Sequence, residues 1–296
     1  MVKSKKKIIV FGGSGFLGSH VSDALTKDGH KVIIIDYKKS KWINKDQSFH
    51  KGDINNPKTF EHLLKKVDAI FNFAAISDIG KSNEDPEETV KINILGVVNL
   101  LNLCVKRKIK KFIQASSIYV SGNHGGFYKS SKLAAESYIS EFNKIKGLNY
   151  CILRYGTLYG PRSDKTNGLH SLIENALKKN KIEYSGSPES VRDYIHVIDA
   201  ARASLKALDK EFINKTIIIS GPESHKITEI LKIISEITGI KKISFVKKNK
   251  VKLHSHYLKT PYSSEENSYY AFKYSDNLNV DIGQGLSALI KNLKEY

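Results

Sequence analysis

The chain has 296 residues and a mass of 33.3 kDa, with 40% hydrophobic residues and six prolines. A chain of this size can bury a large core, and its composition is typical of a protein that is globular throughout. The formal charge of +18 points towards nucleic acid, but the lysines are spread along the chain and basic-aromatic repeats are missing. Nucleic-acid binding is therefore not expected. The same charge would attract a substrate that carries phosphate.

Other classes of protein are also disfavoured. No apolar run approaches the length of about 18 residues that a membrane span needs, so we expect no membrane association and a cytoplasmic protein. Cys104 and Cys151 fall within apolar patterns, which predicts buried, reduced thiols. The pair His254 and His256 has no partner cysteine, so no metal site is predicted.

The first unit along the chain has the pattern of a dinucleotide-binding motif. An apolar run at 8–11 predicts a buried strand, which leads into Gly12-Gly13-Ser14-Gly15-Phe16-Leu17-Gly18 and a helix. Glycines permit a tight turn and let backbone N–H groups approach a pyrophosphate. A second strand at 31–35 ends at Asp36, which can bind the ribose 2′-OH of NAD and would repel the 2′-phosphate of NADP. A cap or turn role is the alternative for Asp36, and two lysines close behind it leave room for NADP.

Strands and helices alternate in the same rhythm up to residue 155. Strands are predicted at 69–73, 111–115 and 150–155, and helices from about 57, over 86–108 and around 130–146. This alternation implies an α/β fold with a Rossmann-type, doubly wound parallel sheet. Beyond residue 162 the pattern is less regular, and residues 257–279 show no clear period. We predict a dinucleotide-binding domain at 1–160, with interleaved segments near 191–220, and a smaller substrate-binding cap formed mainly by 161–296.

The candidate catalytic groups are a serine, a tyrosine and a lysine. Tyr128 and Lys132 share one face of a predicted helix, so the ammonium can lie near the phenol and favour its ionised form, a usable general base. Ser117 ends a predicted strand and can hydrogen-bond a substrate oxygen. Two other tyrosine-lysine pairs have the same spacing, but neither has a strand-end serine before it and a good helix after it.

Several short motifs occur in one order over nearly the whole chain. Together they resemble the extended short-chain dehydrogenase/reductase family, the NAD-dependent nucleotide-sugar epimerases and dehydratases such as UDP-glucose 4-epimerases. The motifs are Gly12 to Gly18 as given above, Gly52-Asp53-Ile54, Phe73-Ala74-Ala75, Asn93 before Gly96, Ser116-Ser117, Tyr128-Lys129-Ser130-Ser131-Lys132, Leu153-Arg154-Tyr155, Tyr159-Gly160-Pro161-Arg162 and Arg192-Asp193-Tyr194-Ile195-His196-Val197.

The resemblance implies NAD as the cofactor and a nucleotide sugar as the substrate. The residues implied to line the cofactor site are the glycine-rich loop, Asp53 and Ile54 at the adenine, Phe73 and Ala74 at the edge of the site, Asn93, Lys132 at the nicotinamide ribose and Tyr155 at the nicotinamide end. On the substrate side it implies Arg192 at the diphosphate, and Thr157 where related epimerases contact the sugar.

Arginine is rare in this chain, so its use in place of lysine indicates where a planar fork of donors is needed. Arg154, Arg162 and Arg192 all fall in the predicted substrate half, and Arg192 is the candidate for the diphosphate. An ion pair with Asp193 or Asp199 is the alternative role for Arg192.

Departures from the family pattern narrow the reaction. Dehydratases of the family have an Asp-Glu pair after the strand-end hydroxyl and decarboxylases have a Glu, whereas this chain has Ile118 and Tyr119. Of the reactions known in the family, simple redox chemistry at one carbinol is therefore the one that remains. The segment between Ser117 and Tyr128 is also shorter than is usual in the family, which predicts a compact turn at 122–126.

The predicted activity is NAD-dependent epimerisation of a UDP-hexose, at C4, through a transient ketone, as part of carbohydrate biosynthesis. An NAD(P)H-dependent reductase of a nucleotide-linked keto-sugar is the alternative. Other redox chemistry on this fold and a non-catalytic dinucleotide-binding scaffold also remain open. The two long helices at 86–108 and 130–146 resemble those that pair subunits in the family, so we expect a homodimer.

Overall fold

The computed structural model describes residues 5–246, 271–276 and 278–294. In these ranges the strands are β1 (Lys7–Phe11), β2 (Lys31–Asp36), β3 (Gln47–Lys51), β4 (Ala69–Asn72), β5 (Lys111–Ser117), β6 (Tyr150–Tyr155), β7 (Thr157–Tyr159), β8 (Ile182–Ser185), β9 (Val191–Arg192), β10 (Tyr194–His196), β11 (Lys215–Ile219), β12 (His225–Lys226), β13 (Ile243–Val246) and β14 (Ala271–Tyr274). The helices are α1 (Phe16–Lys27), α2 (Ile79–Glu84), α3 (Pro86–Val90), α4 (Gly96–Lys106), α5 (Gly126–Lys146), α6 (Gly168–Lys179), α7 (Val197–Ser204), α8 (Ile227–Thr238) and α9 (Ile282–Lys294).

Eight of these strands form one sheet in the order β14-β11-β6-β5-β4-β1-β2-β3, and every neighbouring pair is parallel. Ile8, Ile9 and Val10 of β1 are fully buried. Central strands of a parallel sheet are covered on both faces, which is why the sequence has continuous apolar runs there. The predicted Rossmann-type sheet is confirmed.

Helices cover both faces of the sheet. One apolar core lies between the sheet and α1 with α7, and a second lies between the sheet and α4 with α5. A third core joins α6, α8 and α9 beside the sheet. The strand order reverses between β1 and β4, and a crevice opens at such a switch point beyond the carboxyl ends of the strands. The loops after β1 and β4 therefore meet at the edge where a ligand site is expected.

One long helix was predicted close to its observed bounds, but its apolar character was not recognised. A π-helical stretch at Lys91–Leu95 joins α3 to α4, so the helix is continuous over Pro86–Lys106. Its length and composition alone would let it cross a membrane, contrary to the expectation that the chain has no such segment. In this fold Val97, Leu100 and Leu101 bury one face of the helix against the sheet. The apolar character of that face follows from its place in the core.

Two local predictions were wrong. The helix expected from about residue 57 is two separate turns of 3-10 helix, Pro57–Thr59 and Glu61–Leu64, because Phe60 between them has an extended φ of −141° and buries its ring. Residues 271–274 were expected to be irregular, yet they form the edge strand β14 by pairing with β11. Pairing with a distant strand supplied the order that the local sequence did not indicate.

Other predictions concern cysteine and histidine side chains. Cys104 lies in α4 and Cys151 in β6, and both thiols are buried and not disulfide-bonded, as predicted. Burial raises the pKa of Cys151 to about 12, so that thiol is protonated at neutral pH. His254 and His256 lie outside the described residues.

The short segment between β5 and α5 makes the predicted compact turn. It contains a single 3-10 turn at Ile118–Ser121, and Gly125 and Gly126 both have positive φ angles. No side chain of the segment caps α5. Instead Asn83 of α2 accepts a hydrogen bond from the N–H of Phe127 at 3.1 Å and donates to the carbonyl of Ile79 at 2.7 Å. An amide from another part of the chain thus fixes the start of α5.

Replacing Asn83 by alanine should lower the free energy of unfolding by about 1 kcal/mol, because the first turn of α5 loses its cap. The melting temperature should fall by about 2 °C, measured by circular dichroism. Asn83→Asp retains an acceptor at the same helix start and is the control. Equal melting temperatures for the alanine variant and the wild type would show that Asn83 does not cap the helix.

Candidate active site

The glycine-rich loop after β1 is packed so tightly that side chains would not fit. Gly12 has a φ of +71°, and a Cβ atom there would lie 2.5 Å from the nitrogen of Ala74. A Cβ atom on Gly18 would lie 2.2 Å from the carbonyl oxygen of Gly12. The loop after β1 therefore lies directly against Phe73 and Ala74 after β4, as the sequence reading expected of one site.

The start of α1 has the properties of a diphosphate site. Gly15 precedes the helix and no side chain caps its first N–H groups. The hydroxyl oxygen of Ser14 is buried in the loop without a hydrogen-bond partner. Free N–H groups and the positive end of the helix dipole favour an anion here. A dinucleotide fits this loop, which would hold its diphosphate.

Asp36 ends β2 and faces the glycine-rich loop. One carboxylate oxygen accepts a hydrogen bond from the N–H of Ser14 at 3.0 Å, and the other accepts one from the N–H of Lys38 at 3.3 Å. Burial raises the pKa of Asp36, while these backbone N–H groups act in the opposite direction. The contact with Lys38 is the turn role that the sequence left open, and the contact with Ser14 places the carboxylate beside the dinucleotide loop.

The residues predicted at the adenine lie on the next loop. Asp53 is exposed and its carboxylate accepts a hydrogen bond from the N–H of Asn55 at 2.9 Å. Ile54 is buried, and Gly96 of α4 packs so close to it that a Cβ atom there would lie 2.9 Å from the isoleucine side chain. Ile54 therefore anchors the loop and Asp53 presents its carboxylate to solvent.

Asn93 supports the site from inside the protein. Its side-chain oxygen accepts from the N–H of Ile76 at 2.8 Å, and its nitrogen donates to the carbonyl of Ile76 at 3.0 Å and to the hydroxyl of Ser131 at 2.9 Å. Asn93 is 1% exposed. Because these protein contacts already engage the amide, Asn93 connects the loop after β4 to α5. Its contact with the cofactor stays a prediction.

The three candidate catalytic residues come together at the carboxyl end of the sheet. Ser117 ends β5, Tyr128 lies in the first turn of α5, and their side chains are hydrogen-bonded. Lys132, one turn further along α5, donates to the carbonyl of Ala115 at 3.0 Å, and its ammonium lies 5.7 Å from the centre of the Tyr128 ring. All three side chains are buried.

The effect of Lys132 on the phenol differs from the sequence prediction. Burial raises the pKa of Tyr128 to about 12, with an opposing hydrogen bond from Ser117 and a further upward effect of Tyr119. Burial lowers the pKa of Lys132 to about 8, and the carboxylate of Glu136 opposes that change. The phenol is therefore protonated at neutral pH in this structure, because desolvation is the largest effect on its pKa.

Tyr155 lies deeper than predicted. Its hydroxyl is hydrogen-bonded to the hydroxyl of Ser204 in α7 at 2.7 Å, and burial raises the pKa of Tyr155 far above its ordinary value. Its ring centre is 6.4 Å from that of Phe73. The hydroxyl is thus held by α7, and only the ring is available to line the nicotinamide end.

Arg192 lies among phenols. Burial alone would lower the pKa of its guanidinium, but Tyr194, Tyr119 and Tyr184 together raise it, and Tyr184 is also hydrogen-bonded to it. Thr157, in β7, donates its N–H to the carbonyl of Asp193 at 2.8 Å. The carboxylate of Asp199 lies 3.5 Å from Arg202, an ion pair separate from Arg192.

The other two arginines of the predicted substrate half serve the fold. Arg154 forms a two-pronged ion pair with Glu136 inside the protein, with N···O distances of 3.0 and 2.6 Å. Arg162 pairs with Asp23 of α1 at 2.6 Å, and its guanidinium lies 5.0 Å from the Trp42 ring centre. Both side chains thus reach back to other elements, Arg154 to α5 and Arg162 to α1.

Sequence reasoning missed two residues beside the catalytic group. Tyr119 was noted only as a residue without a carboxyl group, yet its ring centre is 6.4 Å from that of Tyr128 at an interplanar angle of 80°. Glu136 was not singled out in the sequence. Its spacing of four from Lys132, on the same helix face, was the signal that could have identified it.

Comparisons with known proteins agree with this geometry. The sequence profile of the NAD dependent epimerase/dehydratase family matches residues 8–220. A Methanocaldococcus jannaschii protein named "Putative UDP-glucose 4-epimerase" is 32% identical over 255 residues, which cover 79% of this chain and 83% of that protein.

Two solved structures resemble this one over almost their whole length. A UDP-glucose 4-epimerase from Thermotoga maritima, solved with UDP-glucose, has a TM-score of 0.84 at 26% identity, covering 98% of this chain and 99% of that chain. A UDP-glucuronic acid 4-epimerase from Bacillus cereus, in complex with UDP-glucuronic acid and NAD, has a TM-score of 0.82 at 27% identity, with the same coverage.

Replacing Asp36 by serine should weaken NADH binding about tenfold and improve NADPH binding, because a carboxylate that accepts from ribose hydroxyls is lost. NADH and NADPH fluorescence titrations measure both affinities. Asp46→Ser, which removes an exposed acid ten residues further on, is the control. An unchanged NADH-to-NADPH preference in the Asp36 variant would contradict the assignment.

Proposed function

The chain belongs to the NAD dependent epimerase/dehydratase family, and from this premise we propose that it catalyses epimerisation of a UDP-hexose at C4. The observation that carries the proposal is the buried cluster of Ser117, Tyr128 and Lys132 beside the glycine-rich loop. The related 4-epimerases described above support the choice of reaction.

The cofactor is NAD. The glycine-rich loop and the start of α1 would hold its diphosphate, Asp36 the adenosine ribose and Lys132 the nicotinamide ribose. When bound, the cofactor would supply a hydride acceptor for the sugar carbon and, once reduced, a hydride donor for either face of the resulting ketone.

Tyr128 and Ser117 act on the sugar hydroxyl. The phenolate of Tyr128 takes the hydroxyl proton while the carbon loses hydride, and Ser117 donates a hydrogen bond to the oxygen as it becomes a ketone. The tyrosine then returns the proton to the oxygen when the carbon is reduced again. Because burial raises the pKa of Tyr128 to about 12, the phenolate needs positive charge nearby, which Lys132 supplies as an ammonium.

The residues after Ser117 disfavour the other reactions of the family. Ile118 is buried and apolar, and Tyr119 packs edge-on against Tyr128. Neither residue supplies a carboxyl group for the extra acid-base step of dehydration or decarboxylation. Simple redox at one carbinol is the chemistry that this site supports.

We assign the sugar nucleotide to the cap at 161–296. Arg192 is the candidate for the diphosphate, since a guanidinium binds phosphate oxygens with two parallel hydrogen bonds. Thr157 is the candidate for the sugar, because it follows the catalytic end of β6 and pairs with Tyr194, two residues after Arg192. The dinucleotide-binding domain comprises 1–160 together with the interleaved segments near 191–220.

A reductase of a nucleotide-linked keto-sugar is the second candidate. Lys38 and Lys39 are both exposed directly after Asp36, and positive charge there favours the 2′-phosphate of NADP. The two reactions differ in their use of the cofactor. An epimerase turns over without added cofactor, whereas a reductase consumes one NAD(P)H per product.

We propose that two copies pair through α3, α4 and α5. The exposed apolar or aromatic side chains on these helices are Val90, Leu133, Tyr138 and Ile145, and Leu95 is exposed on the π-helical stretch between α3 and α4. A surface of this kind on neighbouring helices favours association with a second copy. We place the protein in the cytoplasm, in carbohydrate biosynthesis.

Replacing Tyr128 by phenylalanine should reduce the rate of epimerisation by about 10²–10⁴-fold, since the general base is lost. The substrate is UDP-glucose, or another UDP-hexose that the wild type epimerises. Chromatography of the sugar nucleotides, without added cofactor, measures the conversion. Tyr138→Phe, an exposed tyrosine of the same helix, is the control. Undiminished turnover in the Tyr128 variant would overturn the mechanism.

Light scattering should give about twice the chain mass of 33.3 kDa for the wild type. Leu95→Lys should shift the protein towards the monomer, because it puts a charge into the apolar interface. Phe272→Lys changes a side chain of equal exposure, 50%, on the edge strand β14 and should remain dimeric. A wild-type monomer at every concentration would refute the dimer.

A further inference from the structure

Glu136 is a buried acid that the proposed mechanism does not use. It lies on α5 and is 1% exposed. One carboxylate oxygen accepts from the hydroxyl of Ser116 at 2.5 Å and from the Nε of Arg154 at 3.0 Å, and the other accepts from the Nη2 of Arg154 at 2.6 Å. A buried carboxylate with three charge-assisted or hydroxyl donors is held in one place.

These contacts involve the same elements that carry the catalytic residues. Ser116 precedes Ser117 in β5, and Arg154 lies in the neighbouring strand β6, where it pairs with Ser116 in register. Lys132 and Tyr128 lie one and two turns before Glu136 in α5. The carboxylate thus joins the helix with the base and the lysine to the strand with the serine.

The presence of a buried ion pair is weak evidence that it serves stability alone. Replacing a buried pair with apolar residues is often neutral, whereas removing one partner is strongly destabilising. The position of Glu136, one turn from a buried ammonium, therefore points to a role beyond packing.

We propose that Glu136 is a positioning residue of the active site, whose fixed carboxylate holds the Lys132 ammonium in its charged form and sets the alkaline limit of function. The proposal rests on the proposed function. It assigns to Glu136 no contact with substrate or cofactor.

The charged and titratable groups around Lys132 come from three elements. Tyr128 and Glu136 share its helix. Tyr119, on the turn after β5, packs against Tyr128, and Arg154 of β6 is bonded to Glu136. Among them the carboxylate of Glu136 is the group that raises the pKa of Lys132, while burial lowers it to about 8. Loss of the carboxylate therefore leaves burial unopposed, and the ammonium should lose its proton at a lower pH.

The test compares Glu136→Gln with the wild-type holoenzyme between pH 6.5 and 9.5. The alkaline fall of the epimerisation rate should move about one pH unit towards acid in the variant. A second readout avoids catalysis: enzyme loaded with NADH should release it faster above the pH at which Lys132 loses its charge, and fluorescence follows the release. That transition should move in the same direction.

Two further variants separate charge from packing. Glu136→Asp keeps the charge and should keep the alkaline limit near that of the wild type. Ser116→Ala removes a hydrogen bond to the carboxylate without removing charge, so it should leave both pH transitions in place even if it lowers the rate. The double variant Glu136→Gln with Arg154→Gln leaves no unpaired buried ion, so it replaces the single variant in the test if that variant does not fold. Its alkaline transitions in rate and in NADH release should also move to lower pH.

The outcomes distinguish the two proposals. A wild-type protein that neither epimerises nor reduces any nucleotide sugar would end the proposed function. An active wild type with identical alkaline transitions in the wild type, Glu136→Gln and the double variant would overturn the role of Glu136 alone.

Discussion

The packing of α5 against the carboxyl ends of β5 and β6 is the constraint on which the site depends. One face of this helix carries Tyr128, Lys132 and Glu136 at intervals of four residues, and all three are buried against the sheet. Polar groups in such a place need partners inside the protein. The strands supply them: Ser117 for the phenol, the carbonyl of Ala115 for the ammonium and Arg154 for the carboxylate.

Burial also determines the electrostatics of the site. The same desolvation raises the pKa of Tyr128 and lowers that of Lys132, so both side chains are driven towards their neutral forms. Chemistry that needs a phenolate and an ammonium must therefore draw on fixed charges in the surroundings. This is why a carboxylate one turn from Lys132 would matter, and why the positively charged nicotinamide ring of NAD would favour the phenolate when bound.

Two asparagines from the segment after β4 hold the first turns of α5 in place. Asn83 caps the first turn of α5 at Phe127, and Asn93 bonds Ser131 in the following turn. The two contacted residues, Phe127 and Ser131, lie within three residues of Tyr128 in the sequence. Both asparagines come from the segment after β4, whose first residues lie against Gly12. The cofactor loop and the catalytic helix are thus parts of one connected structure.

The sequence by itself determined the parts of this protein that depend on neighbours along the chain. The alternation of strands and helices, the glycine-rich turn before α1, Asp36 at the end of β2 and the spacing of Tyr128 and Lys132 all follow from local periodicity and residue type. These features were enough to predict the parallel sheet and to collect the candidate catalytic residues.

Only the tertiary structure decided what depends on distances between remote segments. Glu136 and Arg154 are 18 residues apart yet form one ion pair, Asn93 turns its amide inwards, and β14 exists because β11 lies beside it. The pKa of Tyr128 also depends on the tertiary structure. The helical spacing shows that an ammonium can lie near the phenol, but it does not show how much burial raises the pKa of the phenol. The burial of a side chain depends on how the sheet and helices pack together, so it cannot be read from any single segment of the sequence.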